Sequence, residues 1–287
     1  MTYKSIHPDT RLGYVHLTVS NLERSLDFYR QALGFKLHRQ TGSTAYLGAG
    51  QADLLALTEQ PNARRVSGTT GLYHFAILVP SRLELAQSLR RIAETRTPVE
   101  GFADHLVSEA IYLPDPDGNG IEIYRDRPRA EWQFTNGQLK MGTDPLDVDG
   151  VLAELAGQAE PWSGLHPDTV LGHMHLHVAN IPQAEAFYRD VLGFDLVMRY
   201  GPTASFLSAG GYHHHIGVNT WSGSTLPPSD AVGLRWFVIH LPDKDELGRV
   251  TERVRQAGVA LEEREEGLLL RDPVQNGIIL AVEAESP

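Results

Sequence analysis

Cysteine is absent from the 287 residues. That excludes disulfide bracing, thiolate zinc sites and thiol catalysis. Positive charge is scarce: 25 Lys and Arg stand against 36 Asp and Glu, a formal charge of −11 with His neutral. There is no basic run, which argues against a nucleic-acid or anionic-membrane partner. No apolar stretch approaches the roughly 18 residues of a membrane span, and the N-terminus lacks the apolar core of a signal peptide. A soluble cytoplasmic protein is the expectation. What is present is ordinary in bulk, at 41% hydrophobic residues, and the chain is long enough for two domains with a buried core. Histidine stands out, with 13 copies that cluster.

One stretch is written twice. His7-Pro-Asp-Thr and His166-Pro-Asp-Thr open the copies, and Phe28-Tyr29 and Phe187-Tyr188 recur inside them. Leu33-Gly34-Phe35 and Leu192-Gly193-Phe194 close them, all at a constant offset of 159 positions. Register held over that length marks an internal duplication. The copies differ where Tyr14 in the first faces His173 in the second.

Each copy starts a β-α-β-β-β unit. Leu12 to Val19 alternates as a strand, and Ser20 or Asn21 can cap the helix that follows. Leu22, Leu26, Tyr29 and Leu33 recur at helical spacing, and Gly34 suits the left-handed residue after a helix. Strands follow at Phe35 to Arg39, Thr44 to Leu47 and Asp53 to Thr58. A second unit runs from the apolar strand Leu72–Val79, through a helix after Ser81, to the closing strand Ile121-Glu122-Ile123-Tyr124. A third begins at Val170, with a last strand read over Gly211–Val218, and a fourth begins at Leu234. The expected class is α+β: four units forming two domains with curved mixed sheets. The boundaries read as a first half over 1–130, a linker-like connector over 131–165 with a short helix at Asp147 to Leu155, and a second half over 166–287.

Four such units, the helix ending Phe-Tyr-x-x-x-Leu-Gly-Phe, and Asp115-Pro-Asp-Gly-Asn-x-Ile-Glu122 together resemble the vicinal oxygen chelate superfamily. That group includes glyoxalase I, bleomycin-resistance proteins, fosfomycin-resistance enzymes and type I extradiol dioxygenases. The likeness covers nearly the whole chain outside the connector, and within the group it is nearest to bacterial catechol 2,3-dioxygenases.

The resemblance implies a metal site. One ligand of the metal-binding members lies on a unit's first strand, fourteen residues before the Phe of the Phe-Tyr pair; here that is Tyr14 or His173. The second lies on the partner unit's first strand, at His74 or Trp236, and the third is the closing-strand carboxylate, at Glu122 or Ile279. Units two and three therefore keep His74, Glu122 and His173, while units one and four have lost all three. Two imidazoles and a carboxylate that leave open positions suit Fe(II), with Mn(II) the alternative metal. The run Tyr212-His213-His214-His215-Ile216-Gly217-Val218 is similar to the strand that presents a non-ligand histidine. That makes His214 the acid/base residue, with His213 and His215 on the other face of the strand. The pattern also matches Tyr112, ten residues before Glu122, as a hydrogen-bond partner of the substrate, and places His105 as a pocket histidine two residues off its usual spacing.

The implied activity is extradiol cleavage of a small aromatic diol by O₂. On the same scaffold, a glyoxalase-type isomerase or thiol transferase and a metal-free drug-sequestering protein are the rival readings. Collecting the ligands needs unit two to pair with unit three, either inside one chain or between chains of a homo-oligomer.

Overall fold

The computed structural model describes residues 5–158 and 162–282; the connector residues 159–161 lie outside the described residues. In chain order the strands are β1 Arg11–Val19, β2 Lys36–Thr41, β3 Thr44–Gly48, β4 Asp53–Glu59, β5 Gly71–Leu78, β6 Gly101–Asp104, β7 Ser108–Pro114, β8 Gly120–Asp126, β9 Phe134–Thr135, β10 Gln138–Leu139, β11 Val170–His177, β12 Asp195–Tyr200, β13 Ala204–Ser208, β14 Ile216–Asn219, β15 Gly233–Leu241, β16 Glu262–Arg264, β17 Gly267–Arg271 and β18 Gly277–Val282. The helices are α1 Leu22–Gln31, α2 Arg82–Glu94, α3 Val148–Ala153, α4 Ile181–Glu185 and α5 Lys244–Gln256. No helix among the described residues is long and apolar enough to cross a membrane.

The helices start where side chains can cap them. Asn21, Ser81, Asn180 and Asp243 each accept a hydrogen bond from the backbone N–H three residues on, which satisfies one of the orphan donors of the first turn. After α4 the backbone runs into a π-helical stretch, Ala186–Leu192, that carries the second Phe-Tyr pair and ends at Gly193 with φ 96°.

Two eight-stranded mixed sheets result, each holding four strands from either half of the sequence. One has the order β16-β17-β18-β15-β1-β4-β3-β2, joining units four and one; the other is β12-β13-β14-β11-β5-β8-β7-β6, joining units three and two. The seams are antiparallel, β1 on β15 and β5 on β11. Units two and three thus pair within one chain.

The duplicated motifs lock the two sheets to each other. The Tyr29 hydroxyl donates to Asp115 at 2.9 Å, and the Tyr188 hydroxyl donates to Asp272 at 3.0 Å. Each tyrosine lies in the helical segment of one sheet's unit, and each carboxylate lies in the turn before a closing strand of the other sheet. Both aspartates also accept from backbone N–H groups of their own turn, so the buried carboxylates are well satisfied. On the strands, Phe75, Ile77, Ile121, Ile123, Met174 and Leu176 alternate into one continuous apolar core. Each such side chain contributes about 1.5–3 kcal/mol by burial.

The connector is more structured than a linker. The short helix expected there is α3, but residues 134–139 form the β9–β10 hairpin, turned at Asn136 and Gly137, both with positive φ. Trp132 and Leu139 pack with Val107, Met141 and Tyr212. This apolar contact is what draws the segment onto the second sheet.

Candidate metal centre and active site

Strand register assembles the site. On β5, Ala76 pairs with Glu122 of β8 on one side and with His173 of β11 on the other, and Glu122 pairs in turn with Tyr112 of β7. His74 lies opposite His175, one pleat along. Residues in cross-strand register share a face, so Tyr112, Glu122, His74 and His173 all point the same way. Ala76 sits in the middle of the row. Its single methyl leaves room for Glu122 and His173 to lean towards each other across β5.

The three expected ligands converge. His173 Nε2 is 2.9 Å and His74 Nε2 3.0 Å from the same Glu122 Oε2. Their ligand atoms lie within 4.8 Å of one another, and all three residues are buried. His74 Nε2 is near the carboxylate without hydrogen-bond alignment, and it has no other hydrogen-bond partner among the described residues. A buried polar atom left so is costly unless something else satisfies it. A divalent cation would do so, and two nitrogens and a carboxylate are a donor set of the right kind.

The electrostatics favour the deprotonated ligands that cation binding needs. Burial pushes His173 down to about 4, against the pull of Glu122. Burial alone would raise Glu122; His173 and His74 outweigh it and hold its carboxyl well below the usual range.

A cavity of about 450 Å³ opens over this cluster, lined by Tyr73, Phe102, Phe206, Trp221 and the three candidate ligands. Tyr112, His105 and His214 line it too. The His214 ring lies tilted against His173 at 4.1 Å centroid distance and edge-on to Phe206 at 4.9 Å. Burial, and then the neighbouring His173 and His213, push its pKa well down. His105 faces Gly142 O with Nδ1 at 2.7 Å and the Tyr112 hydroxyl with Nε2 at 2.6 Å. A carbonyl only accepts, so Nδ1 carries the proton and the Tyr112 O–H donates to Nε2. Burial, with Glu122 second, raises Tyr112 well above the usual phenol range, so it keeps that proton.

One expectation about the histidine run is corrected. Residues 211–215 are not strand, because β14 begins only at Ile216. Gly210 and Gly211 both have positive φ, 59° and 68°, so the chain turns just before the histidines. His214 lines the cavity and His213 does not; His213 Nδ1 lies 2.8 Å from His214 Nδ1, and His213 Nε2 lies 2.9 Å from Asp126 Oδ1. Sequence reasoning missed the connector residues Met141, Gly142 and Thr143, which line the cavity. His175, two residues after His173 on the same strand face, lines it too.

The equivalent face of the first sheet carries apolar side chains instead. Ile279 is buried there with Val238 and Leu269, and the partly buried Tyr14 and Trp236 pack against them, so the lost ligand positions now carry apolar packing.

Residues 11–123 and 170–266 match the model of the Glyoxalase/Bleomycin resistance protein/Dioxygenase superfamily. Among curated proteins, the chain is 47% identical over 285 residues to catechol-2,3-dioxygenase of Bacillus subtilis, covering 97% of this chain and 99% of the relative. It is also 29% identical over 126 residues to a lactoylglutathione lyase of Neisseria meningitidis, covering 41% of this chain and 91% of that one. Glyoxalase I of Zea mays shares the fold with a TM-score of 0.59 at 16% identity, over 96% of this chain and 92% of that one.

Proposed function

We propose, since the chain belongs to the Glyoxalase/Bleomycin resistance protein/Dioxygenase superfamily, that it is an extradiol dioxygenase that opens a catechol ring beside its two hydroxyls. The observation that carries this reading is the convergence of His74 and His173 on one oxygen of Glu122, with the non-ligand His214 packed beside them. The near full-length identity to a catechol-2,3-dioxygenase supports it. His74, His173 and Glu122 would hold Fe(II), with Mn(II) the alternative. When bound, the metal supplies the redox chemistry that activates catechol and O₂ together. Both oxygen atoms enter the product, so the reaction needs no outside reductant.

The chain's own groups do the rest. His214 is neutral on entry, because burial keeps its pKa low, and its Nε2 accepts a proton from a substrate hydroxyl and later returns it. A positioned acid/base of this kind contributes about 10²–10⁴ in rate. Tyr112 commits its own proton to His105, so its oxygen is left to accept from a substrate hydroxyl. Phe206, Tyr73 and Trp221 hold the aromatic ring and keep water from the reacting carbons.

Cleavage is tested by incubating the anaerobically Fe(II)-loaded protein with a panel of catechols and then admitting O₂. A yellow ring-opened semialdehyde is the expected product. Turnover of a methylglyoxal–thiol adduct with no ring opening would give the site to glyoxalase chemistry instead.

A further inference from the structure

The role of His214 rests on the dioxygenase reading; what holds His214 in place does not. We propose that Asp126 is a positioning residue which, through His213, fixes the His214 ring in the tautomer that turns the Nε2 lone pair to the cavity.

Glu122, Tyr124 and Asp126 alternate along β8, so all three share the face that carries the site. Asp126 Oδ1 is 2.9 Å from His213 Nε2 and accepts from the Tyr212 hydroxyl at 3.2 Å. The Tyr212 oxygen is in turn 2.7 Å from the Tyr124 hydroxyl. The backbone is shaped for that pair: a Cβ on Gly172 would collide with the Tyr124 hydroxyl. The carboxylate is therefore aimed from two sides, and His213 is fully buried between it and His214.

Proton placement then follows along the chain. A carboxylate oxygen only accepts, so His213 must donate from Nε2. With one proton per ring, His213 Nδ1 is an acceptor. His214 Nδ1 lies 2.8 Å from it and must be the donor. That leaves His214 Nε2 bare. His214 lines the cavity and His213 does not, so the bare nitrogen is the one left to meet a substrate hydroxyl. Flipping either ring would set a C–H against its partner and break the chain.

The test uses the full chain, metal-free and labelled with ¹⁵N in its histidines, and reads long-range ¹H–¹⁵N correlations. The proposal expects His213 as the Nε2–H form and His214 as the Nδ1–H form. In Asp126→Ala both should lose that fixed assignment. A wild-type His214 carrying its proton on Nε2, or a His214 pattern unchanged in Asp126→Ala, would overturn it. The kinetic arm uses Fe(II)-loaded Asp126→Ala and His213→Phe. Both should keep full metal content and KM while kcat falls by about 10–100-fold, the range seen when partners behind an active-site ligand are removed. Unchanged kcat in both variants would also overturn the proposal. If the wild-type chain cleaves no catechol yet shows the expected tautomers, the dioxygenase reading fails and the positioning role stands.

Discussion

His74 and His173 are diagonal neighbours across the antiparallel seam of β5 and β11, and both bring Nε2 to Glu122 Oε2, at 3.0 and 2.9 Å. No cation is needed to bring the strands together, because the apolar face of the same strands already packs in the core. The site is therefore largely preorganised. About one equivalent of Fe(II) or Mn(II) per chain is the expected stoichiometry in metal analysis after anaerobic loading. His74→Ala, Glu122→Ala and His173→Ala should each abolish tight binding while the chain stays folded. Full occupancy in His173→Ala would shift the ligand to His175, its neighbour on the same strand face.

Removing His214 should separate binding from turnover. The ring lies tilted against His173 and is not part of the converging ligand set. His214→Ala should keep its metal and lose about 10²–10⁴ in kcat. Equal loss of metal and activity would make His214 a ligand and refute the assignment.

How much of this was legible beforehand differs from part to part. The duplication exposed units one and three, strand and helix patterning supplied units two and four, and the family resemblance, counted back from Phe28 and Phe187, led to Tyr14 and His173. The sorting of ligands into units two and three required the pairing that the second sheet shows. The histidine run was harder, because a Tyr-His-His-His-Ile pattern carries no mark of a strand that starts late. The two positive-φ glycines before it were the only local clue. Asn136-Gly137 in the connector is a recognisable two-residue hairpin signal, and it does turn β9 into β10. That the connector would then wall the cavity depends on Trp132 and Leu139 finding Val107 and Tyr212. This is a long-range packing choice that local patterning does not encode.

Tyr112 and His105 act as a unit, so their variants should not add. Tyr112→Phe removes the oxygen that faces the substrate, and His105→Ala frees the Tyr112 proton that His105 now holds. Each should lower kcat/KM by about 10–100-fold, and the double variant should lose little more than Tyr112→Phe alone. Steady-state kinetics with one catechol decides this, and strict additivity of the two losses would break the proposed unit.

His16, the first-copy counterpart of His175, provides a prediction independent of the active site. It lies in the first sheet with only 4% of its surface exposed, its Nε2 2.7 Å from Thr58 Oγ1 and its ring 4.3 Å from Trp236. Burial, and then Arg235, push it down to about 3. In the unfolded chain a histidine titrates near 6.5. As pH falls between these values the unfolded state takes up a proton that the folded state refuses. This group's contribution is therefore complete above about pH 6.5 and is lost progressively towards about pH 3, with a limiting slope of about 1.4 kcal/mol per pH unit. His16→Gln keeps a side chain that can bond Thr58 but cannot titrate. Urea unfolding of the metal-free chain, from about pH 7 down to about pH 4, should show a shallower loss of stability for the variant by up to that slope. Parallel curves for the two proteins would mean that His16 takes its proton as readily folded as unfolded, and that its burial beside Trp236 is not what the structure describes.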